Sequence, residues 1–320
     1  MLFGNYDLDK IVSKDHPLRK VAAAVKFNHL ATRFSKFLKT LGRRGYGLDV
    51  GIKCLFLQFY YDLSDREMEE RLRHDMAFRW FCCFKIDEET PEHTYFSRVR
   101  TLLGAERAAK IFDLINEAAR KAGILRGTFT FVDSTVIKAK ETTWAERDKA
   151  LAEGAEALNN RNVAEYAADK NARFGCKGKD KFWFGYKRHK ATDMGSGLIT
   201  KVAVTSANVS DAAGLKHICP NGGAVSADKA YCVAEAQQTM RARGCHSWAI
   251  KKNNMHGKNK DLDRWLTGVR MPFENVFSKD SVRARYRGLM KVQMQAFWEA
   301  VVFNVKRLIV INAPPLLVGA

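Results

Sequence analysis

Three carboxylates in this chain stand where packing alone gives them little reason to be. Asp133 falls inside FVDSTVIK (131–138), a run of β-branched and aromatic residues that reads as a strand, where aspartate is disfavoured. Asp228 closes the apolar run 223–227, and residues at the carboxyl ends of strands commonly line active sites in α/β sheets. Its structural alternative is to cap the helix that follows. Glu274 lies two residues after Pro272, in the first turn of a helix that Pro272 is expected to open; the helix dipole by itself favours an acid there. Asp211, at the start of another helix, is the competing acid, and Asp193 reads as a turn residue. Carboxylate oxygens suit Mg²⁺ or Mn²⁺. Two such ions in one site can activate a water or a 3′-hydroxyl and stabilise the leaving oxygen of an in-line phosphoryl transfer.

The acids act together only if the elements between them bring them together. Residues from about 5 to 125 read as helices, with Leu18, Val21, Val25 and Leu30, then Leu55, Phe56, Phe59 and Tyr60, at helical spacing. Ser64 with Glu67 three residues on forms a capping box. Helices are expected over 93–103 and 105–122, the second ended by Gly123. From Arg126 the period changes to strands: 127–138, 181–192 and 198–205, the last two a hairpin through a turn at 193–197. A helix over 210–218 capped by Ser210 or Asn208, a strand over 223–227, a helix over 233–243 and a strand over 247–251 precede the Pro272 helix. This succession predicts an α/β fold. A ribonuclease-H-like catalytic domain, a five-stranded mixed sheet with flanking helices, follows an all-helical N-terminal domain. In such a sheet the first strand and the end of the fourth lie side by side. The expected division is 1–125 for the helical domain and 126–312 for the catalytic domain, with an insertion at about 141–180 and a tail at 313–320. The apolar segment 290–311 reads as a helix packed on the sheet.

Charge names the partner class. The 320 residues hold 54 Lys and Arg against 35 Asp and Glu, a net of +19, which suits a nucleic acid. With 46% hydrophobic residues the chain can bury a core. No apolar run approaches the roughly 20 residues that span a bilayer, and the N-terminus has no signal-peptide pattern. A soluble, cytoplasmic, nucleoid-associated protein without membrane contact is expected. Seven Cys without a CxxC suggest neither a disulfide framework nor a zinc ribbon. Basic residues and aromatics alternate over 170–190, where Lys187, His189 and Lys190 are candidate phosphate contacts; Phe182, Phe184 and Tyr186 are expected on the core face of their strand. Lys251 and Lys252 open a polar, basic loop. Arg283, Arg285 and Arg287 follow Glu274 and could clamp DNA ends. Residues 16–48 hold eight Lys or Arg and no acid, so the first helices are candidates for reading DNA ends.

The motifs in order resemble those of bacterial insertion-sequence transposases of the DDE type, in the superfamily of insertion-sequence families four and five, and family five in particular. The resemblance runs through LSDREMEERLRHDMAFRWF (63–81), DEETPEHTYFSRVR (87–100), FVDSTVIKA (131–139), FGYKRHKATD (184–193), TSANVSDAAGL (205–215), ADKAY (227–231), ENVFSK (274–279) and RARYRG (283–288). It implies a DNA transposase whose catalytic, metal-binding acids are Asp133, Asp228 and Glu274, with two Mg²⁺ or Mn²⁺ ions per site. It implies cleavage at terminal inverted repeats and strand transfer into double-stranded target DNA, carried out by a homodimer on DNA. Arg270 stands four residues before Glu274 as in the signature of family four, and Lys279 is the candidate for that signature's lysine charge. A ribonuclease-H-like nuclease or junction resolvase would use the same acids without strand transfer; a domesticated, non-catalytic DNA-binding protein would use none of them.

Overall fold

The computed structural model describes residues 7–34, 46–178, 180–278 and 281–316, with 274–278 described by backbone alone. The chain forms two compact units, Met1–Ile124 with Trp298–Ala320, and Leu125–Phe297. None of the described helices is long and apolar enough to cross a membrane.

The first unit is helical: α1 (Leu8–Ile11), α2 (Pro17–Ala24), α3 (Phe27–Arg33), α4 (Leu48–Tyr60), α5 (Asp65–His74), α6 (Met76–Cys82) and α7 (His93–Lys121). Apolar residues surround α4 on all sides, so it is buried all round; Ile52, Leu55, Phe56 and Leu57 expose nothing. The capping box at the start of α5 is present. The Glu67 N–H donates to Ser64 Oγ at 3.3 Å and the Ser64 N–H to the Glu67 carboxylate at 2.7 Å. Gly104 breaks α7 by taking a φ of 58°, the left-handed region that glycine enters without steric cost, at the boundary the spacing predicts.

The second unit carries a six-stranded mixed sheet. Its strands are β1 (Phe129–Lys138), β2 (Arg173–Lys177), β3 (Lys181–Asp193), β4 (Ile199–Ser206), β5 (Gly223–Ala227) and β6 (Cys245–Ala249). The order is β2-β3-β1-β5-β6, with β4 also paired to β3. β1, β3 and β4 are antiparallel neighbours; β5 runs parallel to β1, and β6 parallel to β5. This is the ribonuclease-H-like arrangement plus one strand. The extra strand, β2, belongs to the insertion, which also holds α8 (Trp144–Ala152) and α9 (Val163–Tyr166). β2 pairs with the first half of β3, hairpinned through a turn at Gly178. The β3–β4 turn is held by Asp193, which accepts from the Ser196 N–H at 2.8 Å, the Ser196 hydroxyl at 2.7 Å and the Gly127 N–H at 2.9 Å. β6 begins two residues earlier than its apolar pattern suggests, because Gly223 pairs with Cys245 and Ala227 with Ala249.

Helices cover both faces. On one, α10 (Asp211–Ile218) and α11 (Ala234–Ala242) pack Ala212, Leu215, Ile218, Ala236 and Met240 against Val132, Ala191 and Val225. On the other lies α12 (Lys260–Ser278), whose Phe273 ring sits 6.4 Å from that of Phe131. α12 corrects the expected start at Pro272. Asn259 caps it by accepting from the Asp261 and Leu262 N–H groups at 3.0 and 3.1 Å, and Pro272 is interior, forgoing the one bond its missing N–H would make. The last helix, α13 (Leu289–Val310), packs on the sheet only at its start, where the Val204 N–H of β4 donates to Gln293 Oε1 at 2.6 Å. From Trp298 on it belongs to the helical unit. There Trp298 stacks on Phe59 at 6.3 Å and Asn304 donates to Asn116 at 2.9 Å. The sequence pattern marks 290–311 as buried but not which core receives it.

Candidate active site

The sheet register brings two of the acids together. β1 and β5 pair in parallel through Phe129 with Ala224, Thr130 with Val225 and Phe131 with Ser226. Two residues further along each strand stand Asp133 and Asp228, level with one another where the ladder ends. β1 runs on as far as Lys138 while β5 stops at Ala227, so the edge of β1 is open after Asp133 until Lys138, where the Lys138 N–H donates to the Val282 carbonyl and the Ala284 N–H to the Lys138 carbonyl, each at 2.8 Å. A cavity of about 470 Å³ occupies that space. Asp133, Asp228, Asp211, Lys177 and Lys187 line it.

Each acid is anchored by one backbone donor. Asp133 Oδ1 accepts from the Ser134 N–H at 2.7 Å. Asp228 Oδ1 accepts from the Ala230 N–H at 2.8 Å, which starts a single 3₁₀ turn over Lys229–Tyr231. Asp228 is therefore both a strand-end acid and a cap. Burial pushes the Asp133 carboxyl up to about 6, the negative charge of Asp228 adds to the rise, and the Ser134 N–H, Arg270 and Lys177 pull against it. Burial, followed by the charges of Asp211, Asp133 and Asp228, pushes the Tyr231 phenol well above its ordinary range, and Ser134 pulls against it. Asp211, the competing acid, lines the same cavity, but its Oδ1 is taken by the Lys187 ammonium at 3.0 Å.

Glu274 follows Phe273 on α12, and Phe273 packs on Phe131, two residues before Asp133 on the same strand face. The Glu274 side chain lies outside the described residues. Among the described residues no three Asp, Glu, His or Cys side chains converge on one point. The Asp133–Asp228 pair still fits a hard divalent cation by its donors. It offers carboxylate oxygens only, and one of them is held back from ionising by burial and by the other. A cation between such acids relieves that repulsion.

Residues 6–102 match the family model described as Transposase domain (DUF772), and residues 125–304 match the Transposase DDE domain. The chain belongs to the DDE transposase family. It is an insertion-sequence enzyme of DNA cleavage and strand transfer, binds DNA and depends on divalent metal. A solved piggyBac transposase, in a synaptic complex with hairpin DNA, aligns over 92% of this chain and 74% of its own at 8% identity and a TM-score of 0.38.

The basic residues divide by burial. Lys187 remains at the cavity wall. His189 exposes nothing; its Nε2 lies 2.9 Å from Thr205 Oγ1, and burial lowers its imidazole to about 4. It is a neutral core histidine rather than a phosphate contact. Lys190, paired across from Asp133, is only 1% exposed and has no surface for DNA either. The reason is shared: β3 is a central strand covered on both faces, so its alternating cations point inward whichever face they take. Arg270 is also buried, its guanidinium 5.2 Å over the Phe131 ring, where it lowers Asp133. Lys251 and Arg283 are exposed and Lys252 and Arg285 partly so; Lys251 Nζ is drawn to the Gly257 carbonyl at 2.9 Å. Arg287 is exposed and pairs with Glu141. Lys279 lies outside the described residues. Phe182, expected in the core with Phe184 and Tyr186, is 69% exposed. Lys177 and Tyr231 were not singled out by type or spacing. Lys177 was one cation in the basic run 170–190, and Tyr231 stood only as the last residue of ADKAY.

Proposed function

We propose that Asp133, Asp228 and Glu274 are the catalytic acids of this transposase and hold two Mg²⁺ or Mn²⁺ ions. The enzyme cuts at the terminal inverted repeats of its own element and joins the exposed 3′-hydroxyls to target DNA, as a homodimer that brings two ends together. The resemblance of its motifs supports a place in insertion-sequence family five. The observation that supports this best is the level placement of Asp133 and Asp228 at the open end of the β1–β5 ladder, on one cavity.

The chain's own residues do the positioning. The Ser134 and Ala230 N–H groups fix the two carboxylates by one oxygen each, leaving the other oxygens for ligation. α12, packed through Phe273 on β1, carries Glu274 to the Asp133 face of the sheet. Lys177, exposed at the cavity, and Lys187, released from Asp211, are suited to hold a strand phosphate. Lys251, Lys252, Lys279, Arg283, Arg285 and Arg287 supply further cations for the flanking duplex, which bind through counterion release. When bound, the ions supply Lewis acidity and lower the cost of an oxygen nucleophile and an oxygen leaving group.

The test is end cleavage of a duplex ending in the inverted repeats that flank the gene. Asp133→Asn, Asp228→Asn and Glu274→Gln are each expected to abolish Mg²⁺-dependent cleavage and to keep end binding in a gel-shift assay. Full cleavage by any one of them removes that residue from the triad.

A further inference from the structure

The helical unit buries a cation that no acid meets. Lys53 sits on α4 and is 6% exposed. Among the described residues its ammonium makes one hydrogen bond, donated to Cys83 Sγ at 3.1 Å. A thiol is a weak acceptor, and an ammonium has three donors to place. Asp49, one helical turn earlier on α4, forms no ion pair with it. Burying a charge is unfavourable unless an opposite charge meets it, and lysine is almost never fully buried without a partner. The contact with Cys83 is held by a special backbone. Cys83 takes a φ of 66° at the C-terminus of α6, the left-handed position that is most often glycine, and from there its sulfur reaches Lys53.

Lys53 lines a cavity of about 280 Å³ within the same unit, together with Lys26, Asn28, His29 and Trp80. No Asp or Glu lines it among the described residues. Lys26, Asn28 and His29 are exposed while Lys53 is buried, so the donors run from the mouth of the cavity to its back. Lys26 and His29 belong to the stretch 16–48, which holds eight Lys or Arg and no acid. Donors of one sign around a recess suit an anion, and the partner of this chain is DNA. A phosphate inside a duplex is flanked by sugars and meets cations at a surface. A cation at the back of a recess is reached by a phosphate that ends a strand. Such ends are what the reaction makes. When water adds to phosphorus and the 3′-oxygen leaves with a proton, the phosphate stays on the 5′-oxygen of the other fragment.

We propose that this cavity binds the 5′-phosphate of a DNA strand, with Lys53 as the inner cation and Lys26 and His29 at the mouth. The phosphate supplies the counter-charge that Lys53 lacks in the free protein. The site lies wholly in the helical unit, and its assignment does not depend on which acids hold the metal.

Fluorescence anisotropy of the full-length protein with short blunt DNA duplexes tests it, in a chelator so that nothing is cut. Wild type should bind a duplex with 5′-phosphates about tenfold more tightly than the same duplex with 5′-hydroxyls, the gain from one charge-assisted hydrogen bond. A 3′-phosphate should give no such gain. Lys53→Met keeps the buried stem and removes the charge. It should bind the two duplexes within about twofold of each other, bind the hydroxyl duplex as wild type does, and melt at the wild-type temperature or above it. Lys26→Ala with His29→Ala, both at exposed positions, should reduce the preference several-fold with the fold intact. Equal binding of the two duplexes by wild type, or a preference that survives in Lys53→Met, would overturn the proposal. So would a Lys53→Met protein that melts several degrees lower, because the fold itself would then satisfy the ammonium. A nucleoside 5′-monophosphate, run as a competitor, separates the two sources of a phosphate. Tight, Lys53-dependent binding of the monophosphate with no preference between the duplexes would give the cavity to a free phosphate ester and overturn the assignment to DNA.

Discussion

Replacing Asp133 by Asn should make the metal-free protein more stable while destroying its activity. Burial and the charge of Asp228 raise the Asp133 carboxyl from 3.8 to about 6, so above pH 6 the folded protein carries a charge that the unfolded chain holds more easily. The rise corresponds to about 3 kcal/mol at 1.36 kcal/mol per pH unit. Because Asp133 is only partly shielded from water, about 1–3 kcal/mol is the fair range after screening. Asn keeps the shape and an oxygen for the Ser134 N–H but removes the charge. The sign follows from the direction of the change. The ionised acid costs stability in full above the folded value of about 6, and that cost fades as pH falls from about 6 towards 3.8 and is gone below it, where both states are protonated. Thermal unfolding by circular dichroism in a chelator at pH 8 should therefore place Asp133→Asn a few degrees above wild type, with the gap closing by about pH 4. Mg²⁺ should raise the melting temperature of the wild type by linkage and leave the variant nearly unmoved. A variant less stable than wild type at pH 8, or a gap that does not close on acidification, would refute the reasoning.

Other consequences are as direct. Gly214 of α10 lies against the buried His189 ring, where a Cβ would meet Cε1 at 2.2 Å, Nδ1 at 2.5 Å and Nε2 at 2.6 Å. Overpacking costs about 1–3 kcal/mol, and the gain in helix propensity returns about 1 kcal/mol. With a contact as close as 2.2 Å the cost should sit at the upper end of that range, so Gly214→Ala should lower stability by about 1–2 kcal/mol in urea unfolding, and a neutral or stabilised variant would show that α10 is not seated on His189. His189 itself, lowered from 6.5 to about 4, stays neutral in the fold while the unfolded chain protonates. Stability should drop as pH falls from about 6.5 to 4, and His189→Gln should flatten the melting-temperature profile across that window; an unchanged profile would contradict its burial. Lys251→Ala with Lys252→Ala should weaken binding to the inverted-repeat duplex and reduce the salt slope of binding by about 2, and an unchanged slope in fluorescence anisotropy would remove that loop from the interface.

How far the sequence could be read depended on how local the signal was. The Ser64 capping box, the break at Gly104 and the strand ending before Asp228 are each written in a few adjacent residues, and each is present in the structure. Asp133 and Asp228 stood out for a similar reason, since an acid within or just after an apolar strand contradicts its surroundings, and the register sets the two level with one another. Features set by distant pairing were not legible. β2 looks like a glycine-containing basic loop until β3 is there to pair with it. Lys187-Arg188-His189-Lys190 reads as a surface stripe, and only the neighbours of β3, with helices on both sides of it, bury Arg188, His189 and Lys190. Pro272 resembles a helix start because its ring suits one; Asn259, thirteen residues upstream, is the actual cap. The apolar pattern of α13 records burial but cannot say that Trp298 leaves the sheet for Phe59.

Strand transfer is the measurement closest to the central claim, that Asp133 and Asp228 form the metal-dependent centre of a DNA-joining enzyme. A pre-cut duplex ending in the flanking inverted repeat, incubated with a supercoiled target plasmid and Mg²⁺, should be joined to the plasmid by the wild-type protein. Asp133→Asn and Asp228→Asn should still bind the end and yield no joined product. Joining by either variant, or a wild-type protein that cuts DNA in Mg²⁺ and never joins it, would contradict the account.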